Sequence, residues 1–158
     1  MKQIIRTALA LGVAATAAAA APAWAQAAAP VPNKGDTAWM MTATVLVMTM
    51  IVPGLALFYG DLVRTKNMLS VLTQILAVAS FAMIIWVTYG YTMAFGDGGN
   101  AFIAGFNKLF LAGVNADSTA ATFTDGVVIP EYVFIAFQMT FAAITVSLVV
   151  GGLVERMK

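Results

Sequence analysis

Residues 37–60 read TAWMMTATVLVMTMIVPGLALFYG and contain no Asp, Glu, Lys or Arg. As an α-helix with a rise of about 1.5 Å per residue, a stretch of this length extends roughly 36 Å. That exceeds the hydrocarbon core of a bilayer, which is about 30 Å thick. Because lipid offers no hydrogen-bond partners to an exposed backbone, a segment that crosses it has to be helical. This stretch therefore predicts a transmembrane helix.

Two further uncharged runs follow, over residues 67–96 and 132–154. Each is longer than the roughly 18 apolar residues that indicate a spanning helix. Only 9% of the residues are charged and 61% are hydrophobic, whereas soluble domains carry about 25% charged residues. The sequence thus predicts an all-α integral membrane protein with three transmembrane helices, over residues 37–60, 68–95 and 131–154.

The composition also limits the chemistry that the chain can perform. It contains neither cysteine nor histidine, which removes thiolate nucleophiles, cysteine metal sites and the side chain that titrates most readily near neutral pH. The loop carboxylates show no metal-ligand spacing and the uncharged runs hold no ionisable pair, so we expect neither an enzyme nor a cofactor. The formal net charge of +1 gives no electrostatic argument for a nucleic-acid partner.

The first residues have the organisation of a targeting segment. Lys2 and Arg6 precede an alanine-rich apolar run, and Ala-Trp-Ala at residues 23–25 matches a small-residue cleavage signal. A first membrane span is the alternative, but the uncharged run is short for a bilayer core of about 30 Å. We therefore predict a signal peptide over residues 1–25 and an extracytoplasmic tail over residues 26–36.

Charged residues between the apolar runs predict the orientation. Residues 61–67 carry Arg64 and Lys66 against one aspartate, and residues 155–158 carry two basic residues against one glutamate, whereas residues 96–130 carry three aspartates and one lysine. Lys and Arg accumulate in cytoplasmic loops. The first loop and residues 155–158 are therefore predicted to be cytoplasmic, and residues 96–130 extracytoplasmic. The mature N-terminus is expected outside and the C-terminus inside.

The long loop has a pattern of its own. Residues 101–112 contain Phe102, Phe106 and Phe110 among other apolar residues, and they are expected to form a short helix resting at the membrane interface. Residues 115–126 are polar and typical of turns.

Small and hydroxyl residues recur at helical spacing in the first two predicted helices. Such stripes ordinarily let helices approach closely in lipid. Pro53 is also expected to bend the first helix, because proline cannot donate the backbone hydrogen bond of its turn. The stripe of the first helix consists of Thr42, Thr49, Pro53, Ala56 and Gly60, and that of the second consists of Thr73, Ser80, Thr88 and Tyr91, bordered by Gln74.

The third helix places Phe137 and Phe141 one turn apart on a face that also holds Phe134, Thr145, Leu148 and Gly152, with Gln138 at its border. The opposite face is apolar and consists of Ala136, Met139, Ala143, Val146 and Val150. A ring face attracts a small cation by roughly 0.5–2 kcal/mol, and rings also form constrictions that exclude hydrated ions. Aromatic stripes more often pack against other helices, so this pattern leaves pore lining and packing both open.

Three ordered motifs occur along the chain: PGLALFYG at residues 53–60, YGYTMAFG at residues 89–96 and AFQMTFAAIT at residues 136–145. Together they resemble the Amt/Mep/Rh ammonium transporter family. Further residues agree with the same pattern, namely Arg64, Lys66, Asn67, Leu69, Ser70, Trp86, Gly151, Glu155 and Arg156. Asp61 departs from it, since the family commonly has a second glycine there.

The resemblance implies an eleven-helix fold of two inverted repeats, of which this chain corresponds to the start. It implies uptake of ammonium and methylammonium by a homotrimer in the cell inner (plasma) membrane, with a PII-type signalling protein as a cytoplasmic partner. It further implies that Phe137 belongs to an outer recruitment site for ammonium and that Phe141, one turn deeper, belongs to a pore gate. The family's two pore histidines and a structural aspartate lie in later helices, so we expect this chain by itself not to conduct.

One alternative of a different class remains open. The same stripes would suit a small three-helix membrane subunit that packs against another membrane protein without transporting anything. The sequence downstream of residue 158 distinguishes the two, because further spans with two buried histidines would favour the transporter.

Overall fold

The computed structural model of the chain describes residues 30–156. The predicted signal peptide over residues 1–25, its cleavage site and residues 157–158 lie outside the described residues. The described part is mostly helical, with a short two-stranded sheet between the second and third long helices.

Three long helices are apolar enough to cross a bilayer: α1 (Lys34–Leu62), α2 (Thr65–Phe95) and α3 (Glu131–Leu153), of 29, 31 and 23 residues. Even the shortest would extend roughly 35 Å, which is more than the hydrocarbon core of about 30 Å. Helix α1 begins after Asn33, whose side chain accepts a hydrogen bond of 3.0 Å from the backbone N of Asp36. The prediction of three helices compatible with membrane spans is confirmed.

Helix α1 is interrupted near its middle. It consists of an α-helix over Lys34–Thr49, a wider π-helical segment over Met50–Leu55 and a second α-helix over Ala56–Leu62. Val52 departs from helical geometry, with φ −129° and ψ 104°. A residue before proline is pushed out of the helical region by the proline ring, and Pro53 itself lacks an N–H. The disturbance predicted at Pro53 is therefore present.

Helix α2 also contains a π-helical segment. It begins with a 3₁₀ turn over Thr65–Asn67, continues as an α-helix over Met68–Ile85, widens over Trp86–Gly90 and ends as an α-helix over Tyr91–Phe95. Segments with this wider winding are rare in proteins and are often found at functional sites. This one lies directly beside the contacts that hold α3.

The loop after α2 contradicts the short helix expected over residues 101–112. The described chain has only a 3₁₀ turn there, over Leu109–Leu111. Part of the loop backbone forms hydrogen bonds with the end of α2 and not with the next turn of a helix, as in the bond from the backbone N of Ala104 to the carbonyl of Met93. The buried Thr92 hydroxyl donates to the carbonyl of Gly105 (2.8 Å) and accepts from the backbone N of Lys108 (3.0 Å).

A small antiparallel sheet also forms in this loop. Strand β1 (Thr119–Ala121) pairs with β2 (Val128–Pro130), with Ala120 opposite Ile129. Strand β1 lies inside the stretch predicted as turns, so that interpretation is corrected there, while the described chain remains mostly helical. The pairing is missed in the sequence because strands of three residues are too short to show an alternating pattern. Strand β2 leads directly into α3.

The three helices pack around a core rich in small side chains. Its fully buried members are Ile51, Ala56, Val71, Ile75, Ala79 and Ala143. Of the stripe predicted on α1, Ala56 and Gly60 are buried, whereas Thr42, Thr49 and Pro53 are exposed. In α2 the hydroxyls of Thr73, Ser80 and Thr88 donate to carbonyls of their own helix. Helix contact within the described residues thus uses only part of each stripe.

The residues just after α3 are tied to the start of α2 and to the loop before it. Glu155 Oε1 accepts a hydrogen bond of 2.6 Å from Asn67 Nδ2 and another of 3.3 Å from the backbone N of Arg64. The Arg64 guanidinium lies 4.0 Å from the second carboxylate oxygen. The bond from Asn67, followed by those from Arg64, holds the pKa of the Glu155 carboxyl below its ordinary value of 4.5.

We expect the Glu155→Gln variant to lower the thermal unfolding midpoint at neutral pH. Because the pKa of Glu155 is lowered in the folded protein, the stability that its carboxylate contributes is present above the ordinary glutamate pKa. It is lost as the pH falls through the lowered value, where wild type and variant should converge. Unfolding in detergent over a pH series measures this difference, and Asp61→Asn, which changes an exposed carboxylate nearby, serves as the control. A difference that stays constant down to acid pH would contradict the prediction.

Candidate functional site: the phenylalanine pair of the third helix

Phe137 and Phe141 lie in the first half of α3. Counting from Glu131, they stand roughly 9 and 15 Å along the helix axis. Their ring centroids are 5.0 Å apart and the ring planes meet at 65°, an edge-to-face arrangement. The two rings therefore form one aromatic unit, in which the positively polarised edge of one ring meets the negatively polarised face of the other.

This aromatic unit lies on a face of α3 that the described residues leave largely open. Phe141 is 45% exposed and Phe137 is half-buried. Further along the same face, Thr145, Leu148 and Gly152 are exposed as well. An isolated small cation is costly to bring into apolar surroundings, and an exposed ring face returns part of that cost. The open face can therefore contribute one wall of a cation site, but not a closed path.

The side of α3 that packs against α1 and α2 is more polar than the sequence suggested. Its buried members are Glu131, Ile135, Thr140, Ala143 and Ser147, whereas Val146 of the predicted apolar face is 45% exposed. The buried hydroxyls donate within their own helix, Thr140 to the carbonyl of Phe137 (2.6 Å) and Ser147 to that of Ala143 (2.8 Å). Because their hydrogen-bonding capacity is used locally, these small polar side chains can be buried against neighbouring helices.

Glu131 is the centre of a buried polar network that sequence reasoning missed. Its side chain is 7% exposed, and Oε1 lies 2.6 Å from Lys108 Nζ. The same oxygen accepts a hydrogen bond of 2.6 Å from the Tyr91 hydroxyl, and Lys108 Nζ stands 5.8 Å from the centre of the Tyr91 ring. Lys108 is the single basic residue among the aspartates of residues 96–130. This isolation is the sequence signal that could have pointed to a specific acidic partner.

Trp86 makes a second contact that holds α3 from the same side. Its indole Nε1–H donates to the backbone carbonyl of Ile135 at 3.2 Å. Around it, Tyr91 and Phe95 pack at ring-centroid distances of 6.1 and 6.2 Å, and Phe95 packs edge-to-face on Phe134 at 5.0 Å. Phe134 is thus part of the packing that supports α3, not of the open aromatic face.

The part of the chain that the structure describes does not indicate a metal-binding site. No group of three or more His, Cys, Asp or Glu side chains comes close enough together there to hold a metal ion. The candidate site therefore rests on aromatic and polar groups only.

Known proteins resemble this chain over most of its length. A family model described as the Ammonium Transporter Family matches residues 38–158. An ammonium transporter of Mycobacterium bovis is 40% identical over an alignment of 141 residues that covers 81% of this chain. One of Bacillus subtilis is 41% identical over 124 residues, or 78% of the chain. The ammonium transporter Amt1 of Archaeoglobus fulgidus is 32% identical over 126 residues, or 80% of the chain. The chain spans 29% of the length of each of these relatives.

Proposed function

Because this chain belongs to the Ammonium Transporter Family, we propose that it is the N-terminal part of a membrane protein that takes up ammonium and methylammonium. The resemblance predicted from the three motifs is confirmed by the family match and by relatives at about 40% identity. The family consists of transporters and channels, so the prediction that the chain is not an enzyme is confirmed too. The observation that carries the proposal is the family match over residues 38–158, which includes α2, α3 and all of α1 except its first four residues.

We further propose that this part of the protein does not conduct by itself, because the described residues leave the aromatic face of α3 open. Phe137 and Phe141 lie on an open face of α3, and a path for a hydrophilic substrate needs protein on every side at membrane depth. Since the chain spans 29% of the length of its relatives, we assign the opposite wall to the remainder of the gene product. That remainder would complete the eleven-helix fold of two inverted repeats, which places the path between the repeats.

Phe137 and Phe141 have different roles in this proposal. Phe137, nearer the start of α3, contributes to an outer site that recruits ammonium through its ring face. Phe141, one turn deeper, contributes to a gate of aromatic rings that excludes hydrated ions. Their edge-to-face contact at 5.0 Å supports this arrangement, because a change at one ring alters the packing of the other.

The uptake of radiolabelled methylammonium tests the function. The complete gene product is expressed in cells that lack other ammonium transporters, and the chain ending at residue 158 is expressed in parallel. We expect saturable uptake, inhibited by ammonium, with the complete product and background uptake with the short chain. Correctly inserted complete product without uptake would reject the proposal and would favour a non-transporting three-helix subunit.

Cysteine labelling tests the proposed orientation, with the N-terminus outside and the C-terminus inside. The chain contains no cysteine, so single substitutions report single positions once any further cysteines of the gene product are removed. A membrane-impermeant maleimide added to intact cells should label Asp125→Cys in the long loop and leave Lys66→Cys unlabelled until the membrane is opened. The reverse pattern would overturn the orientation.

The remaining parts of the proposal concern processing and assembly. Cleavage after Ala25 would make Gln26 the first residue of the mature chain, which N-terminal sequencing of the purified protein checks. We further propose that the protein lies in the cell inner membrane, forms a homotrimer and meets a PII-type signalling protein at its cytoplasmic side. Family membership supports these assignments, and the mass of the purified complex in mild detergent tests the trimer.

A further inference from the structure

The pair of half-buried Lys108 and buried Glu131 is costly to form in isolation. The carboxylate loses most of its hydration and the ammonium part of it, and the attraction between them offsets this only where geometry is good and further hydrogen bonds are made. Both conditions are met here, since Nζ and Oε1 are 2.6 Å apart and the Tyr91 hydroxyl donates to the same oxygen. The carboxylate also lies in the first turn of α3, where the helix dipole favours a negative charge.

The partners of Glu131 are themselves held in place. Thr92, which is fully buried, accepts the backbone N–H of Lys108 at 3.0 Å and so fixes the start of the lysine side chain. Tyr91 is 3% exposed and packs on Trp86 and Phe95. Neither partner can follow a shifted Glu131 without disturbing the end of α2, so the network specifies one position for the first turn of α3.

The rotation of α3 is specified from the same side. The Trp86 indole donates to the carbonyl of Ile135. Gly90 leaves room for the indole, because a Cβ on Gly90 would stand 3.1 Å from the Trp86 ring. At about 100° per residue, Phe137 lies roughly 200° around the helix from Ile135. The contacts that α3 makes with α2 and the loop therefore lie on one side of α3, and Phe137 and Phe141 lie on the other side.

We propose that Glu131, Lys108 and Tyr91 form a clamp that sets the depth and rotation of α3, and thereby the place of Phe137 and Phe141 at the outer mouth. The three are positioning residues that touch no substrate, and the inference rests on the proposed transport function. A rotation of α3 by about 20° would move a ring roughly 5–6 Å from the helix axis by about 2 Å. Displacements of that size are sufficient to change substrate handling considerably.

Two variants of the complete gene product test the clamp through transport. Glu131→Gln retains the shape of the side chain and removes its charge, whereas Tyr91→Phe retains the ring and removes one hydrogen bond. We expect Glu131→Gln to raise the KM for methylammonium roughly five- to tenfold, and Tyr91→Phe to raise it by a smaller factor. Loss of folded protein alone would lower the maximal rate and leave KM unchanged, so KM separates positioning from stability.

A second measurement does not depend on transport. In the cysteine-free background, Phe137→Cys is modified with a small cationic methanethiosulfonate reagent added from outside. If the clamp positions α3, the modification rate should change several-fold when Glu131→Gln or Tyr91→Phe is added. This readout also separates two failures, because a protein that does not transport at all can still show whether the clamp positions Phe137.

Asp125→Asn is the matched control, since it removes a carboxylate charge from an exposed position of the same loop. If KM and modification rate in both clamp variants stay within about twofold of this control, the clamp is rejected. Should Glu131→Gln fail to accumulate in the membrane, the milder Tyr91→Phe decides: a shift supports the clamp, and values equal to the control overturn it.

Discussion

In the complete gene product, the Phe137→Ala and Phe141→Ala variants are expected to change methylammonium uptake in different ways. Loss of the Phe137 ring removes an aromatic face from the proposed outer site. A cation–ring interaction of roughly 0.5–2 kcal/mol corresponds to a loss of about 2- to 30-fold in apparent affinity. Loss of the Phe141 ring would open the proposed deeper constriction, so we expect reduced discrimination between ammonium and other monovalent cations. Initial uptake rates with competing cations measure both effects.

The control for these variants is Phe81→Ala, which removes a ring from α2 that is 66% exposed. This ring lines a cleft with Ala142 and Val146 of α3, and neither Phe137 nor Phe141 lines that cleft. Uptake by this control should match wild type once the amount of protein in the membrane is normalised. Uptake and selectivity unchanged in both variants would reject the roles assigned to Phe137 and Phe141. The family assignment, which rests on the match over residues 38–158, would stand.

The second large effect is expected at Gly151, where α3 crosses α1. A Cβ placed on Gly151 would overlap with the ring of Tyr59, and the Tyr59 hydroxyl is anchored to the carbonyl of Leu148 at 3.2 Å. Gly151→Ala must therefore push the ring aside and disturb the contact that Tyr59 makes with α3. Overpacking of this kind costs about 1–3 kcal/mol, and we expect a lower unfolding midpoint in detergent.

The neighbouring Gly152 provides the matched control. A Cβ on Gly152 would meet nothing within 4 Å, and alanine is favoured over glycine in a helix by about 1 kcal/mol. Gly152→Ala should therefore leave the unfolding midpoint unchanged or raise it, although it makes the same chemical change in the same helix as Gly151→Ala. Equal effects of the two variants would show that the crossing of Tyr59 over Gly151 does not limit stability.

The helices were predictable because their cause is local. Long uncharged runs in lipid have only one way to satisfy their backbone, so length and composition were enough to predict α1, α2 and α3. The break at Pro53 was predictable for the same reason, since proline alters its own turn whatever surrounds it. Phe137 and Phe141 could be singled out by helical spacing and by the motif, and the structure places their rings in contact on an open face.

The long loop and the clamp were not predictable, because they depend on residues far apart in the chain. Lys108 and Glu131 are separated by part of a loop that folds back onto α2. Their contact depends on the hydrogen bond in which the Thr92 hydroxyl accepts the backbone N–H of Lys108. The apolar residues over 101–112 favour a helix. Part of this segment instead forms hydrogen bonds with the end of α2, and the described chain has only a 3₁₀ turn there. The periodicity of apolar residues along the sequence carries no information on which distant residues become hydrogen-bond or ion-pair partners.

The sequence by itself thus determined three helices among the described residues that are long and apolar enough to span a membrane, a disturbance at Pro53 and an aromatic pair on the third helix. Each of these follows from residues within a few turns of one another and from the solvent around them. Only the tertiary structure decided which face of α3 is buried, that Glu131 is paired with Lys108 and Tyr91, and that Tyr59 needs the space over Gly151. Those outcomes are set by which side chains meet across helices, and this depends on the packing of the whole bundle.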